Sequence, residues 1–486
     1  MAEFDTVIHA GTIVTSEGSF EGDLAIRDGR IAAIAERIEG GTRRIDAGGR
    51  LVLPGGIESH CHIAQESSSG IMTADDYRSG SISAAFGGNA SFIPFAAQHR
   101  GQTIRHVLDT YGERARTSVI DYSWHLIVSD PTEEVLTKGL PEAFAAGITS
   151  FKVFTTYDLL HLGDAAMLKI LTVAKRHGAI TMVHSENNDM IKWMNAQLAE
   201  DGHTAPRYHA ISRPELAEEE AINRMICLAK LVDAPLFVVH VSTRAGADLV
   251  ARARAEGAKV FAETCPQYLS LTRADLDRPG QEGAAFICSP PVRDTDTQAA
   301  LWSHIRRGTF DCVTSDHAPY RMDATGKFVN GRDAPYTKMG SGMPGIAMRL
   351  PYLFSEGVVK GRISLTDFVK FSAANPARLF GMARKGRLQP GLDADIALWN
   401  PDITRRATLA DQHDNMDYTP FEGMEITGWP ETVLTRGEDV IRDRILVARA
   451  GQGRFVARAL PDLGAAPGWN IAETDPARNF GVKIRP

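Results

Sequence analysis

The chain has 486 residues, a net charge of −7, 43% hydrophobic residues and 23% charged residues. That is an ordinary composition for a soluble globular protein, and it carries no basic stripe of the kind that binds nucleic acid. The five cysteines (Cys61, Cys227, Cys265, Cys288, Cys312) are odd in number, scattered and without a CxxC, which argues for reduced thiols rather than a disulfide framework and gives a zinc finger no support.

The opening MAEFDTVIHAG lacks the basic and apolar regions of a signal peptide. No apolar run reaches the roughly 18 residues of a membrane span. The expected location is the cytoplasm, with no membrane and no nucleic-acid partner. Residues 1–55 read as short strands, FDTVIHAGTIV, GDLAIRDGRIAAIA and RLVLPGG, punctuated by Gly and Asp-Gly. After residue 55 the texture alternates. Apolar strand-like runs recur at SFIPFA, DYSWHLIVS, SFKVFTTY, AITMVHSE, LFVVHVS, KVFAETCP and DCVTSDH, with helical stretches such as AAMLKILTVAKRHG and SRPELAEEEAINRMICLAKLV between them. In the second helix Ser212 is the expected N-cap, with Pro214 near the start and Glu215 three residues on.

Continuous apolar strands alternating with helices indicate an α/β chain with a parallel sheet covered on both faces. Seven or eight such units over about 330 residues favour a (β/α)8 TIM barrel. Strands return after residue 385 in ADIALWNP, TVLTRGEDVIRDR and ILVARAGQGRFVA. The Pro/Gly/Ala-rich LPDLGAAPGWN lies in an arm, residues 456–486, that is expected to lie on a neighbouring surface or to be loosely ordered.

The chemistry-bearing residues fall where barrel strands end. His60 and His62 close LVLPGGIESHCH, and residues i and i+2 of a strand point the same way. Alone, that pair reads equally well as two surface histidines. Lys152 lies in SFKVFTTY, His184 in AITMVHSE, His240 in LFVVHVS and Asp316 in DCVTSDH. A single polar strand end is simply solvated, but barrel active sites gather at the C-terminal ends of strands, and six such residues together point to a site. Lysine is a poor metal ligand as an ammonium. Carboxylated by CO2 it becomes an anion with two oxygens able to bridge two cations. Its neighbours Phe151, Val153 and Phe154 favour the neutral amine that this reaction needs. The plainer reading of Lys152 is a barrel lysine paired with a carboxylate.

The motifs GGIESHCH, TADDYRSGSISAAFGG, SFKVFTTYD, VHSEN, VVHVSTRAGA, ETCPQYLSLT, SPPVRD, TSDHAPY, NPARLFGM, KGRLQPGLDADIALWNP and YTPFEGMEITGWP resemble, nearly end to end, the hydantoinase/dihydropyrimidinase family of cyclic amidohydrolases. The resemblance implies a TIM-barrel catalytic domain over residues 56–384 and a β-sandwich assembled from residues 1–55 and 385–455. It implies two divalent metal ions per subunit, with zinc the expected metal. His60 and His62 bind the more buried ion with Asp316, Lys152 bridges as N6-carboxylysine, and His184 and His240 bind the second ion. Tyr157 corresponds to a tyrosine that hydrogen-bonds the substrate carbonyl, Ser289 to a position that holds the ring, and Asp316 to the proton shuttle. A packed rim tyrosine and an ordinary turn serine are the plainer alternatives for Tyr157 and Ser289. His317, beside Asp316, is expected to face away from the metals.

The implied reaction is ring opening of a cyclic amide or ureide, such as a hydantoin or dihydropyrimidine, by a metal-bridging hydroxide, giving an N-carbamoyl amino acid. An allantoinase or a cyclic imide hydrolase would share the metal site. A non-catalytic scaffold homologue would have lost ligands, and all six are present here. A homotetramer is also implied. The sequence departs from the family pattern at Glu58, where aspartate is usual and a contact behind the ligands is expected. It departs again in the polar loop AQESSSGIM and in KMGSGMPGI, where Ser341 takes the place of a substrate-facing asparagine. The last two changes point to a small or polar ring substituent.

Overall fold

The computed structural model describes residues 3–67, 70–464, 468–469 and 471–484. Parts of the AQESSSGIM loop and of the LPDLGAAPGWN tail lie outside them. Eight strands run in parallel around one sheet in chain order: Gly56–Cys61, Asn89–Ala97, His125–Ile127, Ser150–Phe154, Ile180–His184, Leu236–Val238, Val260–Thr264 and Cys312–Val313. They are buried along their length, as strands covered on both faces must be. The first strand meets the end of the last through a parallel bridge between Cys61 and His317, and His62 N donates to His317 O at 2.8 Å. That contact closes the TIM barrel.

Helix starts follow local capping chemistry. Thr243 accepts from Gly246 N to open Arg244–Ala255, and Asp294 accepts from Thr297 N to open Thr295–Arg306. The expected cap at Ser212 is corrected. Helix Glu215–Val232 begins after Pro214, which takes the cap position with extended backbone and no side-chain cap bond. Ser212 instead ends the short helix Tyr208–Ser212, its hydroxyl donating to His209 O. Pro214 disfavours helical backbone at Arg213, so no helix can run from Ser212 through it.

A second, mixed sheet draws on both ends of the chain. Leu51–Pro54 pairs antiparallel with Ile396–Arg406, which joins the early strands Thr6–Val14, Ser19–Arg27, Arg30–Ala35 and Arg43–Asp46 to the late strands Glu425–Thr435, Glu438–Arg442 and Ile445–Leu446. Two-residue hairpin turns of type I′ need positive φ at both positions, and Asp28-Gly29 (φ 52 and 73) and Arg436-Gly437 (φ 50 and 73) provide it. ILVARAGQGRFVA, read as a strand, is one only at Ile445–Leu446. The rest runs as a connection to the N-terminal end of the barrel, where Val456 N donates to Tyr122 O, Arg458 N to Gly147 O and Ala459 N to Gly381 O. The buried Arg458 guanidinium there donates to Ser123 Oγ, Trp124 O and Phe380 O. The arm's described start thus lies on the chain's own barrel. No helix among the described residues is long and apolar enough to cross a membrane, and all five cysteines are free.

Lys385 joins the two sheets. Its buried ammonium sits 2.8 Å from Asp121 of the barrel, 2.6 Å from Asp395 and 3.4 Å from Asp393. Lys385→Met would leave the buried Asp395 without its cation and take one of two from Asp121 and Asp393, and should destabilise the chain by about 3–5 kcal/mol in urea unfolding. A loss below about 1 kcal/mol would contradict this account of the joint.

Candidate active site

The barrel brings the six candidate residues to one mouth, five at or beyond strand ends and Lys152 from within its strand. His60, next to last in the strand Gly56–Cys61, places Nε2 3.0 Å from Asp316 Oδ1, and His62 places its Nε2 3.3 Å from the same oxygen. Lys152, in the middle of Ser150–Phe154, sets Nζ 2.9 Å from His60 Nε2. His184 closes Ile180–His184, and His240 follows Leu236–Val238 by two residues; their ring centroids lie 4.5 Å apart, with His240 5.4 Å from His60. His240, Asp316 and Tyr157 take φ of 40, 48 and 67. Such left-handed backbone costs a non-glycine residue about 1–3 kcal/mol and persists only where its surroundings impose it.

Each imidazole but one is held from behind. Glu263 bonds His60 Nδ1, Gln65 Oε1 bonds His62 Nδ1 at 2.7 Å, and Glu186 bonds His184 Nε2 at 2.7 Å. Such partners set which nitrogen faces a metal. Arg213 pairs with Glu186 and holds its carboxyl down at about 2 against the upward push of burial. Glu58 accepts from His60 N at 2.9 Å and Ser315 N at 3.2 Å and pairs with Arg349 at 3.0 Å, so it ties two ligand-bearing turns together. His317 turns away: its Nε2 bonds Asp75 at 2.9 Å, and Gly345 N donates to its Nδ1 at 3.1 Å.

Burial drives His62 down to about 4 and lowers His184 and His240 too, which keeps three imidazoles neutral and able to donate lone pairs. Burial also pulls Lys152 down to about 8 although Asp316 and Glu263 oppose it. Asp316 stays well below the usual carboxylate range because His60 and His62 outweigh its burial.

The donor set fits divalent cations. Both ring nitrogens of His240 are buried with no partner, a rare state for an imidazole that marks a missing ligand. One ligand atom each from His60, His240 and Asp316 falls within 4.8 Å of the others. Nitrogen and carboxylate donors suit a borderline divalent ion.

A cavity of about 420 Å³ opens onto these residues. Tyr157, Ser289 and Ser341 line it together, and Ser289 Oγ lies 2.9 Å from Ser341 Oγ. Burial raises the Tyr157 hydroxyl, so it keeps its proton near neutral pH. Buried Lys327 fastens both serine-bearing segments, donating to Ile287 O at 2.8 Å and Gly342 O at 2.6 Å. Sequence reasoning missed Glu186, Glu263, Gln65, Arg213, Lys327 and Arg349. The signal for Glu263 was present in KVFAETCP, an apolar run with an acid near its end, and Glu186 follows His184 at the same i+2 spacing that drew attention to His60 and His62.

Comparison with known proteins agrees. The Amidohydrolase family matches residues 51–440. The D-hydantoinase of Geobacillus stearothermophilus is 42% identical over 458 residues, covering 93% of this chain and 96% of that protein, and that of Rhizobium radiobacter is 40% identical over 93% and 99%. The crystal structure of dihydropyrimidinase from Brevibacillus agri superposes with a TM-score of 0.91 at 40% identity, covering 94% of this chain and 99% of that one. The chain belongs to the hydantoinase/dihydropyrimidinase family of the amidohydrolases.

Proposed function

We propose that this chain hydrolyses the ring amide of a hydantoin or dihydropyrimidine to an N-carbamoyl amino acid, with two zinc ions held by His60, His62, Asp316, His184, His240 and a carboxylated Lys152. The observation that carries the reading is the convergence of His60 Nε2 and His62 Nε2 on Asp316 with the Lys152 amine 2.9 Å from His60. Burial holds Lys152 close enough to neutrality for its lone pair to add to CO2, the ammonium proton leaving as the carbamate forms. Bound among these residues, two divalent ions supply a water of lowered pKa and polarise the scissile carbonyl.

The chain's own groups do the rest. Tyr157 donates its hydroxyl hydrogen to the carbonyl oxygen as charge develops there. Asp316 takes a proton from the attacking water and delivers it to the leaving ring nitrogen. Ser289 and Ser341, linked to each other and lining the same cavity as Tyr157, hold the ring amide against that hydroxyl. An allantoinase or cyclic imide hydrolase would use the same metal residues and differ only at the cavity wall. The scaffold reading loses ground because all six ligating side chains are present and gathered. A homotetramer in the cytoplasm belongs to the same reading and rests on the family resemblance alone.

Lys152→Ala should lower bound metal below one ion per chain and cut kcat/KM by about 100-fold or more, with short carboxylic acids restoring part of the activity. A metal-replete, active variant would exclude the carbamate bridge. Tyr157→Phe should reduce kcat by roughly 100-fold at unchanged metal content by elemental analysis; an unaltered kcat removes Tyr157 from the chemistry. In a substrate panel, hydantoin or dihydrouracil should give a higher kcat/KM than 5-phenylhydantoin, and the reverse order would discard the reading of a small or polar substituent.

A further inference from the structure

The imidazoles held from behind do not all use the same kind of partner. His60 and His184 are backed by carboxylates, Glu263 and Glu186, whereas His62 is backed by the amide of Gln65. A carboxylate would orient the ring equally well, so the amide's second group raises the question of what it does. Gln65 is fixed on both sides of its backbone by Thr73: its N donates to Thr73 Oγ1 at 3.0 Å, and Thr73 N donates to its O at 2.9 Å. Gln65 is 8% exposed and lines the cavity.

The orientation of the amide follows from His62. That ring turns Nε2 toward Asp316 and Nδ1 toward Gln65. An imidazole offering a lone pair at Nε2 carries its hydrogen on Nδ1, so Nδ1 donates and the Gln65 carbonyl oxygen accepts. The Gln65 NH2 then has no protein acceptor among the described residues, on a side chain that lines the cavity. No hydrogen bond joins it to Ser289 or Ser341, which with Tyr157 take the ring amide. Water can satisfy this NH2 while the cavity is open. A substituent that fills the cavity displaces that water, and only one with an acceptor oxygen replaces the lost hydrogen bond.

We propose that Gln65 reads the ring substituent, and that the preferred substrate is a cyclic ureide whose short side chain ends in a carbonyl oxygen. The inference rests on the ring-opening reading above and adds the chemistry of the substituent to it. One side chain thereby links the setting of a metal-facing histidine to the choice of substrate.

The test compares 5-(3-oxobutyl)hydantoin with its near-isostere 5-(3-methylbutyl)hydantoin, with unsubstituted hydantoin as the reference, on the holoenzyme and on Gln65→Leu and Gln65→Glu. The wild type should favour the ketone in kcat/KM by at least about tenfold, because the isostere leaves a desolvated donor unpaired. Gln65→Leu removes both functions: the preference should vanish, and metal retention during dialysis against a chelator should fall. Gln65→Glu keeps an acceptor for His62 but replaces the donor with an acceptor: metal retention should persist while the preference vanishes or inverts. A wild-type ratio near one, or a preference that survives in both variants, would overturn the proposal. Failure to open any of the three rings would instead bring down the ring-opening reading and this inference with it.

Discussion

The buried Glu58–Arg349 pair is the joint on which the site depends. Glu58 stands in the first barrel strand and Arg349 on the helix Arg349–Tyr352 that follows the last one. Arg349 also donates to Val313 O and Asn89 Oδ1, while Glu58 accepts from the backbone N–H of His60 and of Ser315. One ion pair thus sets the turn that carries His60 and His62 against the turn that carries Asp316, across the seam where the barrel closes. Without that closure these three residues would be separated by the whole length of the barrel sequence. A buried pair stabilises little in net terms, because desolvation offsets the attraction. Its effect is geometric: it fixes where two loops stand.

The same logic recurs outward from the metal residues. Glu186 with Arg213 holds His184, and His317 with Asp75 and Gly345 holds the loop after Asp316 against the segment that carries Ser341. Positive φ at Tyr157, His240 and Asp316 shows that backbone comfort yields to side-chain placement at three functional positions. The burial that makes this costly also supplies the chemistry. It keeps three imidazoles neutral, brings the Lys152 amine toward neutrality and leaves the Tyr157 hydroxyl protonated.

Much of this was legible in the chain because a barrel converts strand ends into a site. Once the apolar runs were recognised, the polar residues closing them, His60, His62, His184, His240 and Asp316, and Lys152 within its run had only one place to meet. What stayed hidden was the layer that holds them. Glu263 obeyed the strand-end pattern but reads as an odd acid until His60 is seen against it. Arg349 and Arg213 lie outside strands, and Gln65 in a loop, so their partners are chosen by folding rather than by spacing. The cap expected at Ser212 failed because Pro214 blocks the helix behind it, and the strand expected over ILVARAGQGRFVA gave way after Leu446 to a segment tied to the base of the barrel.

The most direct test is a crystal structure with anomalous scattering data from protein purified without chelator or acid. Two metal peaks are expected, one among His60, His62 and Asp316 and the other between His184 and His240, with continuous density extending Lys152 between them. A barrel mouth free of metal, with an unmodified lysine, would contradict the account.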